Sequence, residues 1–126
     1  MQGLTFRNVL SGNQATNTSV ATTASFTPTG NRLYLLTLAS RTSTSVNPPI
    51  PTVTGNGITY TTVTSVIYDT GVTTLKRLVA YTGIAVSPTA GSITMNYNGT
   101  TQTESIWALN EVINNTTSNP IIQSST

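Results

Sequence analysis

Apolar and polar residues alternate along much of this chain, and the alternation has a period of two. In "SITMNY", Ile93, Met95 and Tyr97 share one face, and Ser92, Thr94 and Asn96 the other. "SVATTASF" places Val20, Thr22, Ala24 and Phe26 on one face. Period two is the pattern of a half-buried antiparallel strand. Two stretches are apolar on both faces, Leu33–Ala39 ("LYLLTLA") and Ser105–Ile113 ("SIWALNEVI"). Such strands belong at the centre of a sheet, at least partly covered on both sides. Between them lie "ITYTTVTSVIY" (Ile58–Tyr68) and "TLKRLVAYTG" (Thr74–Gly83), and a first strand is expected near Leu4–Leu10. No stretch holds the i, i+3, i+4, i+7 spacing of an amphipathic helix.

Turn residues punctuate these runs. "PTGN" (Pro28–Asn31) precedes the leucine-rich strand, "DTG" (Asp69–Gly71) joins two strands, and "SPTAG" (Ser87–Gly91) joins the next pair. Asn98-Gly99 suits the positive φ values of a type I′ turn, so "SITMNY" and "TTQTESIWAL" are expected to form a hairpin. Pro48, Pro49 and Pro51 remove backbone donors, so "NPPIP" reads as an extended connector, with Gly55 and Gly57 allowing a sharp entry into the Ile58 strand. The pattern predicts an all-β fold, an antiparallel β-sandwich of about seven to eight strands with no substantial helix. Residues 1–18 read as an N-terminal arm carrying the first strand, with 11–18 a polar linker; 19–113 form the sandwich and 114–126 a tail. The tail carries one apolar pair, Ile121-Ile122, just after Pro120, which suits docking onto the domain or a neighbour.

Composition narrows the chemistry. The 126 residues suffice for one domain with its own core. Charged residues make up 6%, against about 25% in ordinary soluble domains. Threonine fills the gap with 28 residues, placed among Val, Ile and Tyr, which is strand chemistry and suits a surface covered by partners. Neither cysteine nor histidine occurs, which removes thiolate catalysis, the usual general base and the commonest metal ligand. The net charge of +2 comes from Arg7, Arg32, Arg41, Lys76 and Arg77 against Asp69, Glu104 and Glu111. Five scattered cations make no phosphate-binding patch, so no nucleic-acid partner is expected. The first residues have no charged-then-apolar leader pattern and no apolar run reaches membrane-spanning length, so cytoplasmic synthesis and no membrane partner are expected.

The acids offer little for catalysis. Glu104 and Glu111 are an odd number of positions apart on one strand and point to opposite faces, and Asp69 sits in a turn where Asp bonds its own backbone. No GxSxG elbow or Walker loop occurs, "GNGITY" leads into a strand rather than a helix, and "DTG" alone cannot hold calcium. No cofactor or metal is expected, and no catalytic residue. Arg77 shares a face with Leu75, Val79 and Tyr81, and Lys76 with Leu78 and Ala80, so both read as structural. Trp107 reads as core, while Tyr60 and Tyr68 are candidates for an exposed ligand patch.

The order from "PTVTGNGITYTTV" to "LKRLVAYTGIAVSPTAGSITMNYNGTTQTESIWALNEV" is a proline-led turn, Gly-Asn-Gly, an aromatic strand, a basic-then-apolar strand and a polar turn before "WALNEV". It resembles small jelly-roll-like β-sandwich domains of tailed-bacteriophage virion proteins, including head decoration (cement) proteins and tail-fibre modules. The likeness spans residues 25–113 and carries no active-site signature. It implies a non-enzymatic decoration protein on the outer capsid surface, bound across subunits of the major capsid protein. Longer proteins with this pattern continue into further strands, so an open edge and a homo-oligomer, a trimer by the usual symmetry of such sites, are expected. Leu4, Phe6, Pro120, Ile121 and Ile122 are the expected anchors, with Arg7 pairing with an acidic shell surface. The alternative the resemblance offers is a receptor- or carbohydrate-binding module of a tail fibre, using Tyr60 and Tyr68.

Overall fold

The computed structural model describes residues 4–68 and 75–113. They form eight strands: β1 (Thr5–Gln14), β2 (Val20–Thr22), β3 (Leu33–Arg41), β4 (Thr52–Thr54), β5 (Thr61–Tyr68), β6 (Lys76–Ile84), β7 (Thr94–Asn96) and β8 (Glu104–Ile113). No helix occurs among the described residues. Two antiparallel sheets result, a five-stranded one in the order β1-β8-β3-β6-β5 and a three-stranded one in the order β2-β7-β4. This is the all-β sandwich that the period-two pattern predicts. The chain alternates between sheets, so β5 and β6 are the only described consecutive strands that pair with each other. The "DTG" turn between them lies outside the described residues, as does the 114–126 tail.

The two strands apolar on both faces, β3 and β8, lie side by side in the interior of the larger sheet. Their inner faces contribute Tyr34, Leu36 and Leu38 from β3, and Trp107 and Leu109 from β8, all buried. Val79 and Tyr81 of β6 complete that layer. Opposite them, Ala21, Met95 and Val53 are paired in register across the smaller sheet and all are buried. Ile93 and Tyr97 extend the β7 row as the alternation predicts, both with no exposed surface. Burying a side chain such as Leu36 or Ile93 stabilises by about 1.5–3 kcal/mol, so this layer carries much of the fold.

Three local expectations are corrected. The Asn98-Gly99 turn forms, with φ of 54° and 84° and Thr100 N–H donating to Tyr97 O at 3.0 Å. Its flanking strands do not make a hairpin, because β7 belongs to the small sheet and β8 to the large one. The Thr18–Ser19 segment holds both arms instead: Gln102 N–H donates to Thr18 O at 2.8 Å, and Tyr97 N–H to Ser19 O at 2.8 Å. The Val20 strand is in the opposite phase. Ala21 and Thr23 face inward, and Val20, Thr22 and Ala24 are exposed, because the small Ala21 sits beside Met95. The first strand continues to Gln14, through half of the expected linker, with Gly12 laid against the Trp107 ring.

The proline segment 47–51 forms no strand, as its missing donors require, but β4 follows at Thr52–Thr54, and the strand expected from Ile58 begins at Thr61, Ile58 making only an isolated bridge to Ala85. Pro48 and Pro51 are buried, and their carbonyls accept hydrogen bonds from Arg77 Nε and, at 2.8 Å, from the Tyr81 hydroxyl. Asn56, between the two glycines, is itself left-handed (φ 61°), and its amide donates to Gly91 O at 2.6 Å and Phe26 O at 3.0 Å. A methyl at Gly57 would be driven into the Ser87 carbonyl, whereas one at Gly99 would meet open space.

Gly57→Ala should therefore cost several kcal/mol, about 3 or more, and Gly99→Ala about 1–2 from its left-handed backbone alone. Urea unfolding of the two variants checks the contrast; equal losses would contradict it. The buried tyrosines give a second expectation. Tyr34, Tyr60, Tyr81 and Tyr97 hold their phenol protons above the ordinary value of 10.0, with burial the largest cause in each. The unfolded chain releases these protons more readily, so stability is fully present below about pH 10 and falls as pH rises through that value. Urea midpoints at stepped alkaline pH measure this; a midpoint that stays flat above that pH would contradict it.

Candidate functional site

The described acids lie on opposite faces, as the odd spacing predicts. Glu104 is on the outer face of the large sheet, where Arg41 Nε lies 3.2 Å from its carboxylate. Glu111 is on the inner face and 1% exposed. A carboxylate this deep is costly unless paired and hydrogen-bonded. It has three partners: Arg7, Arg32 with Nη1 3.0 Å from Oε1, and the Tyr34 hydroxyl, donating to Oε2 at 3.2 Å. Thr29 N–H in turn donates to the Tyr34 oxygen at 2.8 Å, which orients the phenol. The acids thus form two separate ion-pair groups and no carboxylate pair. Arg7, expected to meet an acidic partner, is bound to Glu111 within the chain.

Leu4 and Phe6 are 60% and 64% exposed at the start of β1. Among the described residues β1 is an edge strand, paired on one side only, with β8, and a register shift falls between Asn8 and Leu10. Pro120, Ile121 and Ile122 lie outside the described residues. The tyrosine patch is not assembled. Tyr60 and Tyr68 flank opposite ends of β5, about 25 Å of extended chain apart, and a bulge near Val63 interrupts the register between them. Tyr60 packs against the core with its hydroxyl buried, while Tyr68 is exposed. Trp107 is core as expected. Arg77 is spent on Pro48 O and, at 3.1 Å, Ser65 Oγ.

What the sequence did not single out is the outer face of the large sheet. Antiparallel partners point to the same side, so the register defines this face. One row runs Val66–Leu78–Ala39–Ile106–Asn13 across all five strands. Among the described residues nothing covers it, and Val66, Leu78 and Ile106 are 53%, 44% and 48% exposed. The next row is built of small residues, Thr64, Ala80, Thr37, Ala108 and Ser11. On the other side lies a charged row, with Lys76 5.9 Å above the Tyr68 ring and Arg41 on Glu104. A shallow cleft of about 160 Å³ lies there between Arg41, Lys76, Tyr68 and Ile106. An open face with an apolar row, rows of small and polar residues, and charge at one end is a surface for binding another extended surface. The signal was present in the leucine-rich strand, whose second apolar face needs a cover.

Comparison with family models, with curated proteins and with solved structures returns no match. The Glu111 group can be tested directly. Arg32→Ala should cost about 2–3 kcal/mol by leaving a buried carboxylate short of a partner, and the more exposed Arg7→Ala about 1. In a Glu111→Leu background both losses should largely vanish, as a double-mutant cycle by urea unfolding would show. Losses that persist there would mean the arginines act through other contacts.

Proposed function

We propose that this chain is a non-enzymatic structural protein of a virion, a capsid decoration protein that binds the outer shell across major capsid subunits and stabilises it. The resemblance of its turn and strand order to phage virion domains supports this reading. The single observation that carries it is the edge strand β1, whose outer backbone edge is unpaired among the described residues and begins with the exposed Leu4 and Phe6. An open edge pairs readily with an extended segment of a partner, and alternate side chains then enter the partner's pockets. Leu4 and Phe6 supply the apolar anchors, and Arg7, held on Glu111, fixes where that edge lies. Single contacts of this size are weak, and the repetition of the shell multiplies them.

Purified protein mixed with undecorated capsids should co-sediment with them. Deleting residues 1–18 would remove β1 and uncover Trp107, so point variants are the sharper probe. Leu4→Asp with Phe6→Asp should weaken co-sedimentation about tenfold or more while leaving the urea midpoint within about 0.5 kcal/mol of stability, because both side chains are exposed. Wild-type protein that stays in the supernatant would overturn the reading. Binding that survives the double substitution would overturn the role of the edge.

A further inference from the structure

We infer that the outer face of the five-stranded sheet is the interface of a two-fold homodimer, in which the sheets of two copies pack face to face with the axis along β3. The two flanks of β3 match each other row by row. Ala39 is paired with both Leu78 and Ile106, Thr37 with both Ala80 and Ala108, Leu35 with both Thr82 and Asn110, and Arg41 with both Lys76 and Glu104. A two-fold rotation about β3 exchanges the flanks and keeps the rows. It sets Leu78 against Ile106 of the second copy, Ala80 against Ala108, Thr82 against Asn110 and Lys76 against Glu104. Between β6 and β8 apolar residues meet apolar ones, small meet small, polar meet polar, and the cation of one copy meets the anion of the other; on the outermost strands Thr64 meets Ser11 and Thr61 meets Asn8, and only Val66, set against Asn13, departs from the match. An axis across the strands would lay Leu78 near Thr82 instead and lose this match. The face is therefore self-complementary in one orientation, which is the requirement for an isologous two-fold contact.

Size and shape agree. Sheets pack about 10 Å apart, and the small central row of Ala80, Thr37 and Ala108 allows that approach. The rows from Arg41 to Leu35 are open, and the end row of Leu33 and Val112 is already buried; five strands spaced about 4.8 Å with about 20 Å of open length present about 500 Å² per copy, at the low end of specific interfaces, which suits a concentration-dependent dimer. Arg41 of each copy falls near the axis, at the solvent-facing end of the sheet, where Glu104 already neutralises it. Phe6 lies at the far corner of the face, in the row of Val112, away from the Ala39 row. Docking through β1 and pairing through this face are read by separate assays, so either can fail alone. The contact is two-fold, in place of the three-fold association that the resemblance suggests.

Sedimentation velocity from low micromolar to several hundred micromolar protein tests the inference. Wild-type protein should shift from monomer to dimer mass. Leu78→Lys and Ile106→Glu should each weaken self-association about tenfold or more. Both positions are exposed, and a circular dichroism spectrum matching wild type establishes that the variants fold. An equimolar mixture of the two variants should recover most of the dimer, because one side of the mixed pair then places the new lysine against the new glutamate. Thr54→Lys, on the exposed face of the small sheet, should leave association unchanged. A wild-type monomer throughout, a trimer, undiminished dimer in Leu78→Lys, no recovery on mixing, or dissociation by Thr54→Lys would each overturn it.

Discussion

A five-stranded sheet has two faces; the described residues of this chain cover one of them and, on the other, only the end row of Leu33 and Val112. The cover is a small sheet of three-residue strands, whose row of Ala21, Met95 and Val53 closes over Leu36, Leu38, Val79 and Trp107. Three strands are narrower than five, so something else must close the flank beyond β4. The proline connector does this, with its carbonyls at Pro48 and Pro51 accepting from Arg77 and Tyr81. On the other face Leu35, Ala39, Leu78 and Ile106 are left without a cover of the chain's own described residues, and the proposed two-fold pairing rests on that shortage.

The second constraint is the charge buried at the β1 end of the core. Glu111 loses its hydration on folding, and only the combined approach of Arg7, Arg32 and Tyr34 offsets the loss. A buried ion group of this kind is weak evidence for stability, but it is demanding about geometry. It ties the edge strand to β3 and β8, and so fixes the backbone edge and the apolar corner of Leu4 and Phe6 that the decoration reading uses. The two described acids form no carboxylate pair with each other, because each is committed to arginine on its own face of the sheet.

Much of the fold was legible because strand periodicity is a local property. Ile93, Met95 and Tyr97 read as one buried face and are one, and the doubly apolar strands read as central and are central. Partner choice was not legible. Asn98-Gly99 encodes a tight turn, but whether the strands after it pair depends on where Met95 and Trp107 find apolar surface, a matter settled by residues far away in sequence. The phase of the Val20 strand was missed because the large residues Val20 and Phe26 were read onto one buried face; Phe26 does pack against the core, but the three-residue β2 ends at Thr22 and buries the small Ala21 instead. The Arg32–Glu111 contact joins residues 79 apart, and no spacing rule reaches that far. The outer face was half legible: the apolar second faces of β3 and β8 were read as covered, and within the described chain they are not.

The central claim is that this bare face is covered in solution by a second surface. Hydroxyl-radical footprinting over a range of protein concentrations measures side-chain exposure directly. The account predicts that oxidation of Leu78 and Ile106 falls severalfold as concentration rises, while oxidation of Val20 and Ile50, exposed elsewhere on the molecule, does not change. Leu78 and Ile106 that stay as reactive as Val20 at every concentration would contradict it.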